Sequence, residues 1–377
     1  MAWQVRPSAA WIWGIGGCRG YAQMSALYPE IPGYTDDTVR EEGNAGHWVG
    51  HMLGKGFIVP EGSVAPNKVE VDGKMLEGAQ MYLQELRSVG VPVYQETPLP
   101  APWIHKECGG TPDAWAWDAA KRKLYVWDYK YGYRYVDAFE NPQLAIYVSA
   151  ILDYLHKLGW IVLDGVSEMD ITIEMIVVQP RSYGAEPVRK WVVKAAMLRG
   201  LWNLLRQAAL EVMSPEPMLR AGQWCNDCSA RHACPAAQRA SLASIEYSAK
   251  MIPHDLTPTA MGDALRRLKL AKEFISSMES GLEAQLLHAI SNGHVDPNWM
   301  VGHGRGSTSF KEGGEQQFLA LAKYMKLDGV TKPERAKTPL QIIDAIGPDL
   351  ISKFIEKRPG AKKLVPFTDR TIRKLLT

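Results

Sequence analysis

The sequence lacks any long apolar run: nothing in it approaches the roughly 18 consecutive apolar residues that a membrane-spanning helix needs. Its first residues, Met-Ala-Trp-Gln-Val-Arg, lack the charged-then-apolar order of a secretory signal, so the expected location is the cytoplasm. Cysteine is scarce, five in 377 residues, and the number is odd; both facts exclude a disulfide-stapled secreted scaffold. A bulk excess of one charge is also missing. The formal net charge is +2, so composition by itself does not announce a nucleic-acid binder. Gly302-His-Gly-Arg-Gly is rich in glycine but lacks the Lys-Ser/Thr of a phosphate-binding loop, which excludes an ATP site of that kind. Neither an internal repeat nor a long low-complexity tract is present.

What is present is ordinary globular material: 46% hydrophobic and 22% charged residues, in a chain long enough for one large core or two modest ones. Charge is uneven locally. From Lys353 to Thr377 there are eight Lys or Arg against two acidic residues. Such a tail can lie on phosphates, and it can equally be a solvated terminus. The cysteines are uneven too: Cys18 and Cys108 stand alone, while Cys225, Cys228 and Cys234 cluster. In a cytosolic chain that cluster reads as a metal site.

Residue patterns predict the elements. A helix starts from a carboxylate cap at Asp36 or Asp37 and runs to Gly54. Its internal glycines cost about 1 kcal/mol each relative to alanine, which argues against the helix or for close packing on a neighbour. A second helix runs from Gly73 to Val89 and stops at Gly90. Residues Val91 to Thr97 read as a strand. Asp113–Trp117 and Lys123–Lys130 alternate and are rich in aromatics, and the polar turn between them makes them a hairpin. Asn141-Pro142 caps and opens a helix to about Leu158. Ile171–Val178 is a buried strand, Val188–Val193 pairs back on it, and a helix follows from Lys194 to Val212. After about Tyr247 the character changes. A long amphipathic helix spans Met261–Ser291, with short helices around Gln316–Tyr324 and Thr338–Ile346. Two domains are expected, residues 1–245 and a mainly helical region, 246–377.

The chemistry sits in Gly110-Thr-Pro-Asp113, then 14 residues, then Asp128-Tyr-Lys130. Antiparallel pairing brings Asp113 and Asp128 to one end of the hairpin, where both carboxylates can meet one hard cation. Asp128 and Lys130 are two apart, so they share a strand face. An ammonium there can orient the attacking water or neutralise charge on a phosphate. Upstream, His47 lies on the glycine-containing helix and can complete a metal's ligands, with His51 one turn on as the decoy. Downstream, Gln143 and Tyr147 are spaced i, i+4 on one helix face. Trp115, Trp117, Trp127, Tyr131 and Tyr133 line the hairpin and its exit; most read as core, with stacking on unpaired bases open to one or two.

Together these motifs resemble the PD-(D/E)XK nuclease superfamily in its RecB-like branch. The series is Gly43–His47, Gly110–Asp113, Asp128–Lys130 and Gln143–Tyr147, followed by Cys225-x2-Cys228-x5-Cys234. The cysteine layout is similar to that of the iron–sulfur subgroup, which includes the AddB nuclease domain and the CRISPR-adaptation exonucleases. The resemblance covers about residues 8 to 240. It implies an α/β fold, a central mixed sheet flanked by helices as in restriction endonucleases. It implies Mg²⁺ or Mn²⁺ on His47, Asp113, Asp128 and the Tyr129 carbonyl, with Lys130, Gln143 and Tyr147 completing the catalytic set. It also implies a [4Fe–4S] cluster on Cys18, Cys225, Cys228 and Cys234. The thiolates alone suit zinc as well, and Cys108 competes with Cys18 on residue type alone. Glu96 sits where relatives often keep an acidic residue. The C-terminal region, with Thr338-Pro-Leu-Gln and Lys357-Arg-Pro-Gly, resembles phage-encoded RecB-like proteins.

The expected activity is a DNA exonuclease in phage or bacterial recombination, repair or degradation. Its expected partners are single- or double-stranded DNA and a single-strand annealing or recombination protein, with no membrane. The competing expectation is a catalytically silent DNA-binding scaffold with the same fold.

Overall fold

The computed structural model describes residues 5–31, 38–163, 170–182, 185–249, 257–303, 307–311, 313–327, 330–332, 335–347, 349–358 and 362–366. It divides into two compact units, Met1–Leu282 and Glu283–Thr377. The candidate caps Asp36 and Asp37, part of the Gly302–Gly306 run and most of the basic tail lie outside the described residues.

Short helical turns at Pro7–Ala9, Ala10–Trp13 and Tyr21–Leu27 lead to the first long helices, α1 (Thr38–Gly54) and α2 (Gly73–Arg87). Asp72 caps α2 by accepting the Met75 N–H at 2.8 Å. Gly90, at φ +70°, turns the chain three residues past the helix end.

The strands β1 (Val93–Gln95), β2 (Ala114–Asp118), β3 (Lys123–Tyr129), β4 (Thr172–Val178) and β5 (Val188–Lys194) form one sheet in the order β1-β2-β3-β4-β5. All pairings are antiparallel except β3–β4, which is parallel. The parallel step needs a long crossover, and α3 (Pro142–Lys157) supplies it. Asn141 caps α3, its side chain accepting the Gln143 and Leu144 N–H groups. The mixed α/β fold expected from the sequence is therefore present.

Three boundaries differ from expectation. The strand read as Val91–Thr97 is only Val93–Gln95, because Glu96 takes a left-handed φ of +48° and ends the extended run. The helix expected from Lys194 begins as a 3₁₀ turn, Ala195–Leu198, and becomes α4 only over Arg199–Val212. In the second unit, short antiparallel pairs accompany the helices Gly314–Met325 and Pro339–Ile346, namely Trp299–His303 with Lys362–Pro366, and Ser307–Phe310 with Ile355–Arg358. A small core of Phe318, Ala322, Val330, Ile342 and Ile351 closes that unit. The long helix Pro258–Ser291 is present, beginning three residues earlier than expected. Among the described residues no helix is long and apolar enough to cross a membrane.

The period of two along β2 and β3 sorts their side chains between two cores. Trp115, Trp117, Leu124 and Val126 join α3 and α4 on one face. Ala114, Ala116, Tyr125, Trp127 and Tyr129 join α1 and α2 on the other. Helix α3 is buried almost all round, as its near-continuous apolar sequence demands. Trp202 of α4 fastens to it through an indole N–H to the Ala145 carbonyl at 2.8 Å.

Candidate active site and cysteine cluster

Strand alternation puts Asp128 on the α3 face of β3, fully buried. There its Oδ1 accepts two hydrogen bonds, from Lys130 Nζ at 2.7 Å and from Gln143 Nε2 at 2.9 Å. Gln143 also lies 3.4 Å from the Tyr147 hydroxyl, so the i, i+4 pair acts on one side of the carboxylate. Asp113, at the mouth of β2, accepts the Tyr129 N–H at 2.6 Å through Oδ2 and lies 3.4 Å from His47 Nδ1 through Oδ1. The hairpin register pairs Ala114 with Trp127, and this is what brings Asp113 beside the end of β3. His47 stands edge-on to the Tyr129 ring at 5.4 Å, and Tyr129 is stacked on Tyr82 behind it. His51, one turn on, has a buried Nδ1 with no hydrogen-bond partner among the described residues.

The site's charges act on one another. Burial pushes Asp113 up, but the His47 ring and Lys130 outweigh it and hold the carboxyl below its ordinary range. Burial lowers the His47 pKa, and the charge and hydrogen bond of Asp113 more than restore it. Burial also opposes the Lys130 ammonium, yet Asp128 and Asp113 hold it above its ordinary value. Asp128 is shifted upward, by burial and by the neighbouring Asp113 charge, against the pull of Lys130. Glu96 joins them: its N–H donates to the Asp113 carbonyl at 3.2 Å, and burial with the Asp113 charge raises its carboxyl to about 7.

One atom bears on whether these groups suit a hard cation. Asp128 Oδ2 is buried and has no hydrogen-bond partner. An unsatisfied carboxylate oxygen away from water costs on the order of 1–3 kcal/mol or more. A divalent ion would satisfy it and remove the upward shift of Asp128. His47, Asp113 and Asp128 are thus a donor set that Mg²⁺ or Mn²⁺ could accept, with hard oxygens and one imidazole. As the side chains stand, no three His, Cys, Asp or Glu groups among the described residues converge on a single point at ligating distance. Their polar atoms turn instead to Lys130, Gln143 and the Tyr129 amide.

The second cluster joins distant segments. Cys18, Cys225 and Cys234 are buried and Cys228 is partly so. Their thiols are electrostatic neighbours: burial first, opposed by the Gly222 amide, and then Cys228, Cys234 and Cys18 bring Cys225 to about 11. The N–H of Arg220 points at Cys18 Sγ at 3.5 Å and that of Gly222 at Cys225 Sγ at 3.4 Å. Amide donors aimed at sulfur suit thiolates, and these four could hold an iron–sulfur cluster or a zinc ion. Cys108 is elsewhere. It is fully buried in the main core, bridged to Val5, and burial alone pushes its thiol up to about 12.

The model of the family described as a protein of unknown function, DUF2800, matches residues 76–372, more than half of the chain. The chain belongs to the DUF2800 family. The matched span holds Asp113, Asp128, Lys130, Gln143, Tyr147 and the cysteines from 225 to 234, and it begins after Cys18 and His47. No curated protein matches the DUF2800 chain.

Two residues that shape this DUF2800 site, Gln179 and Gly46, were not singled out by the sequence patterns. Gln179 follows the strand Thr172–Val178, and its buried amide donates to the Gly132 and Arg134 carbonyls at 2.7 and 2.8 Å. Gly46 packs so closely on Tyr131 that a Cβ would lie 2.7 Å from the ring. The only signal for Gly46 was the cost of a mid-helix glycine. For Gln179 there was none.

Proposed function

We propose that this DUF2800 protein is a metal-dependent deoxyribonuclease of the PD-(D/E)XK, RecB-like kind. The observation that carries the reading is the meeting of His47, Asp113, Asp128, Lys130 and Gln143 at one end of the β2–β3 hairpin, with one carboxylate oxygen buried and unsatisfied. A surface Asp-x-Lys ion pair would leave its carboxylate in water and would recruit neither a histidine nor an amide from other helices.

A divalent ion on His47, Asp113 and Asp128 would supply Lewis acidity and a water of lowered pKa. The chain's own groups do the rest. Lys130 places a positive charge where a phosphodiester gathers negative charge as water adds to phosphorus and the ester oxygen leaves. Gln143 fixes the Asp128 carboxylate, and Tyr147 backs Gln143. Cys18, Cys225, Cys228 and Cys234 hold a [4Fe–4S] cluster in this reading, with zinc as the alternative occupant. They pin the segment around residues 18–28 against residues 219–237. Exonucleolytic action, a role in phage or bacterial DNA recombination, repair or degradation, and a recombination or annealing protein as partner are the finer parts of the same proposal.

The test is a cleavage assay with Mg²⁺ or Mn²⁺ on end-labelled single- and double-stranded DNA and on a covalently closed circle. Linear DNA should be degraded, the circle should survive, and Lys130→Ala should be inactive. Cleavage that survives Lys130→Ala refutes the site. Salt-sensitive DNA binding without cleavage under any divalent ion makes the protein a DNA-binding scaffold instead.

A further inference from the structure

One face of the long helix Pro258–Ser291 is packed on the body of the first unit. Ala264, Ala271, Phe274 and Ser277 are buried there, and Met278 lies against the apolar group of Met24, Cys234 and Ala237. Ser241, on the preceding helix Pro235–Ala249, donates to Met278 Sδ at 3.0 Å and ties the two helices together.

A second apolar stripe runs beside that face. Met261, Leu265, Ile275 and Leu282 are 51%, 54%, 42% and 53% exposed, and Leu268 is half-buried. Successive intervals of four, three, seven and seven residues keep all five on one heptad seam, about 31 Å long. The two remaining positions of the seam are Lys272 and Glu279, both exposed. An apolar row of this length on a surface marks a contact, and three heptads are enough to specify a coiled coil.

Charge selects the occupant. From Met261 to Lys272 the helix carries Arg266, Arg267, Lys269 and Lys272 against Asp263. From Glu273 to Leu282 it carries Glu273 and Glu279 and no Lys or Arg. Arg266 takes Asp263 at 3.4 Å and Arg267 has an interaction of its own, whereas Lys269, Lys272, Glu273 and Glu279 form no ion pair among the described residues. Arg231 approaches the acidic half but bonds Ser280, at 3.3 Å. The preceding helix adds one charge of each sign, Arg239 and Glu246. A seam that is basic at one end and acidic at the other is complementary to its own reverse. A parallel copy sets Lys272 on Lys272 and Glu279 on Glu279. An antiparallel copy, related by a two-fold axis near Ile275, sets each Lys272 beside the partner's Glu279 and turns Leu265 towards the partner's Leu282.

We propose that this stripe pairs two copies of the chain, helix against antiparallel helix. Such an isologous contact uses one patch twice and closes at two copies. It stands apart from the nuclease reading.

The test is the mass of the full-length protein by sedimentation equilibrium over a dilution series. The parent should form a species of twice the 42.0 kDa chain mass that dissociates on dilution. Lys272→Glu and Glu279→Lys should each weaken the dimer by roughly 10- to 100-fold, because each sets like charges side by side at two symmetric places. Both changes together should restore the parental dissociation constant. Circular dichroism should be parental in all three variants, since the exchanged side chains are exposed. A parent that stays monomeric overturns the proposal, whether another segment of the chain or a different protein covers the stripe. So does a dimer that both single exchanges leave intact, the result that a parallel pair or a contact elsewhere gives. A double exchange that fails to restore pairing overturns the antiparallel register.

Discussion

Gly43 and Gly46 stand on the same helix, α1, and should answer the same substitution with opposite signs. A Cβ at Gly43 meets nothing within 4 Å. Gly43→Ala therefore gains only the helix-propensity difference, about 0.5–1 kcal/mol. A Cβ at Gly46 would sit 2.7–3.0 Å from Cγ, Cβ and Cδ1 of Tyr131, a buried ring with little room to move. Gly46→Ala gains the same propensity but forces overpacking, which costs about 1–3 kcal/mol. The net result is a loss of up to about 2 kcal/mol, and the gap between the two variants is the overpacking cost itself. For a domain of this order of size, 1 kcal/mol moves the melting temperature by about 2–4 °C. Gly43→Ala should melt a few degrees higher than the parent and Gly46→Ala below Gly43→Ala by several degrees, read by circular dichroism. In a Tyr131→Gly background, which removes the Cβ as well as the ring, Gly46→Ala should turn favourable. Equal shifts of the same sign for both glycines, or a penalty that persists without the Tyr131 ring, would refute the packing of α1 on Tyr131.

Other consequences can be measured as directly. Lys130→Ala leaves the buried Asp128 without its cation, so urea denaturation should register a loss on the order of 3 kcal/mol besides the loss of cleavage; an unchanged midpoint would mean that the pair is not buried. Asn141→Ala removes the acceptor for two amides at the start of α3 and should cost about 1–2 kcal/mol. It should also lower activity through Gln143, and unaltered stability would contradict the cap. Anaerobically purified protein should be brown, and Cys18→Ser should lose the chromophore, whereas Cys108→Ser should keep it at a cost of about 1 kcal/mol in stability. The reverse pattern would reassign the fourth ligand.

Much of the first unit was legible because its signals are local. The aromatic alternation of β2 and β3, the polar turn between them and the Asn141-Pro142 start of α3 each depend on a few adjacent residues, and each element lies where those residues put it. The glycines of α1 left two readings open, a poor helix or a close neighbour, and Tyr131 decides for the neighbour at Gly46. Features set by distant partners were not legible. The brevity of β1 follows from the left-handed Glu96, whose N–H is taken by Asp113. The Gln179 tether depends on a side chain 47 residues from Gly132. The cysteines could be counted, but Cys108 and Cys18 are alike as residue types; only the fold sends one into the main core and sets the other beside Cys234. The short strands of the second unit are two to five residues long, too short for alternation to stand out.

The Arg220 amide that points at Cys18 lies 202 residues further along the chain. Met24 has a similar dependence, since its hydrophobic companions are Leu219, Ala230, Cys234, Ala236 and Ala237. A ribosome adding about 5–20 residues per second needs about 10–40 s to make that intervening stretch. During this interval Cys18 and Met24 have been synthesised and their partners have not. Closing so long a loop must wait for the sheet to draw the two segments together. Cys18 and Met24 therefore wait longer for their partners than Val5 and Trp13, whose core neighbours Cys108 and Leu144 are made far sooner.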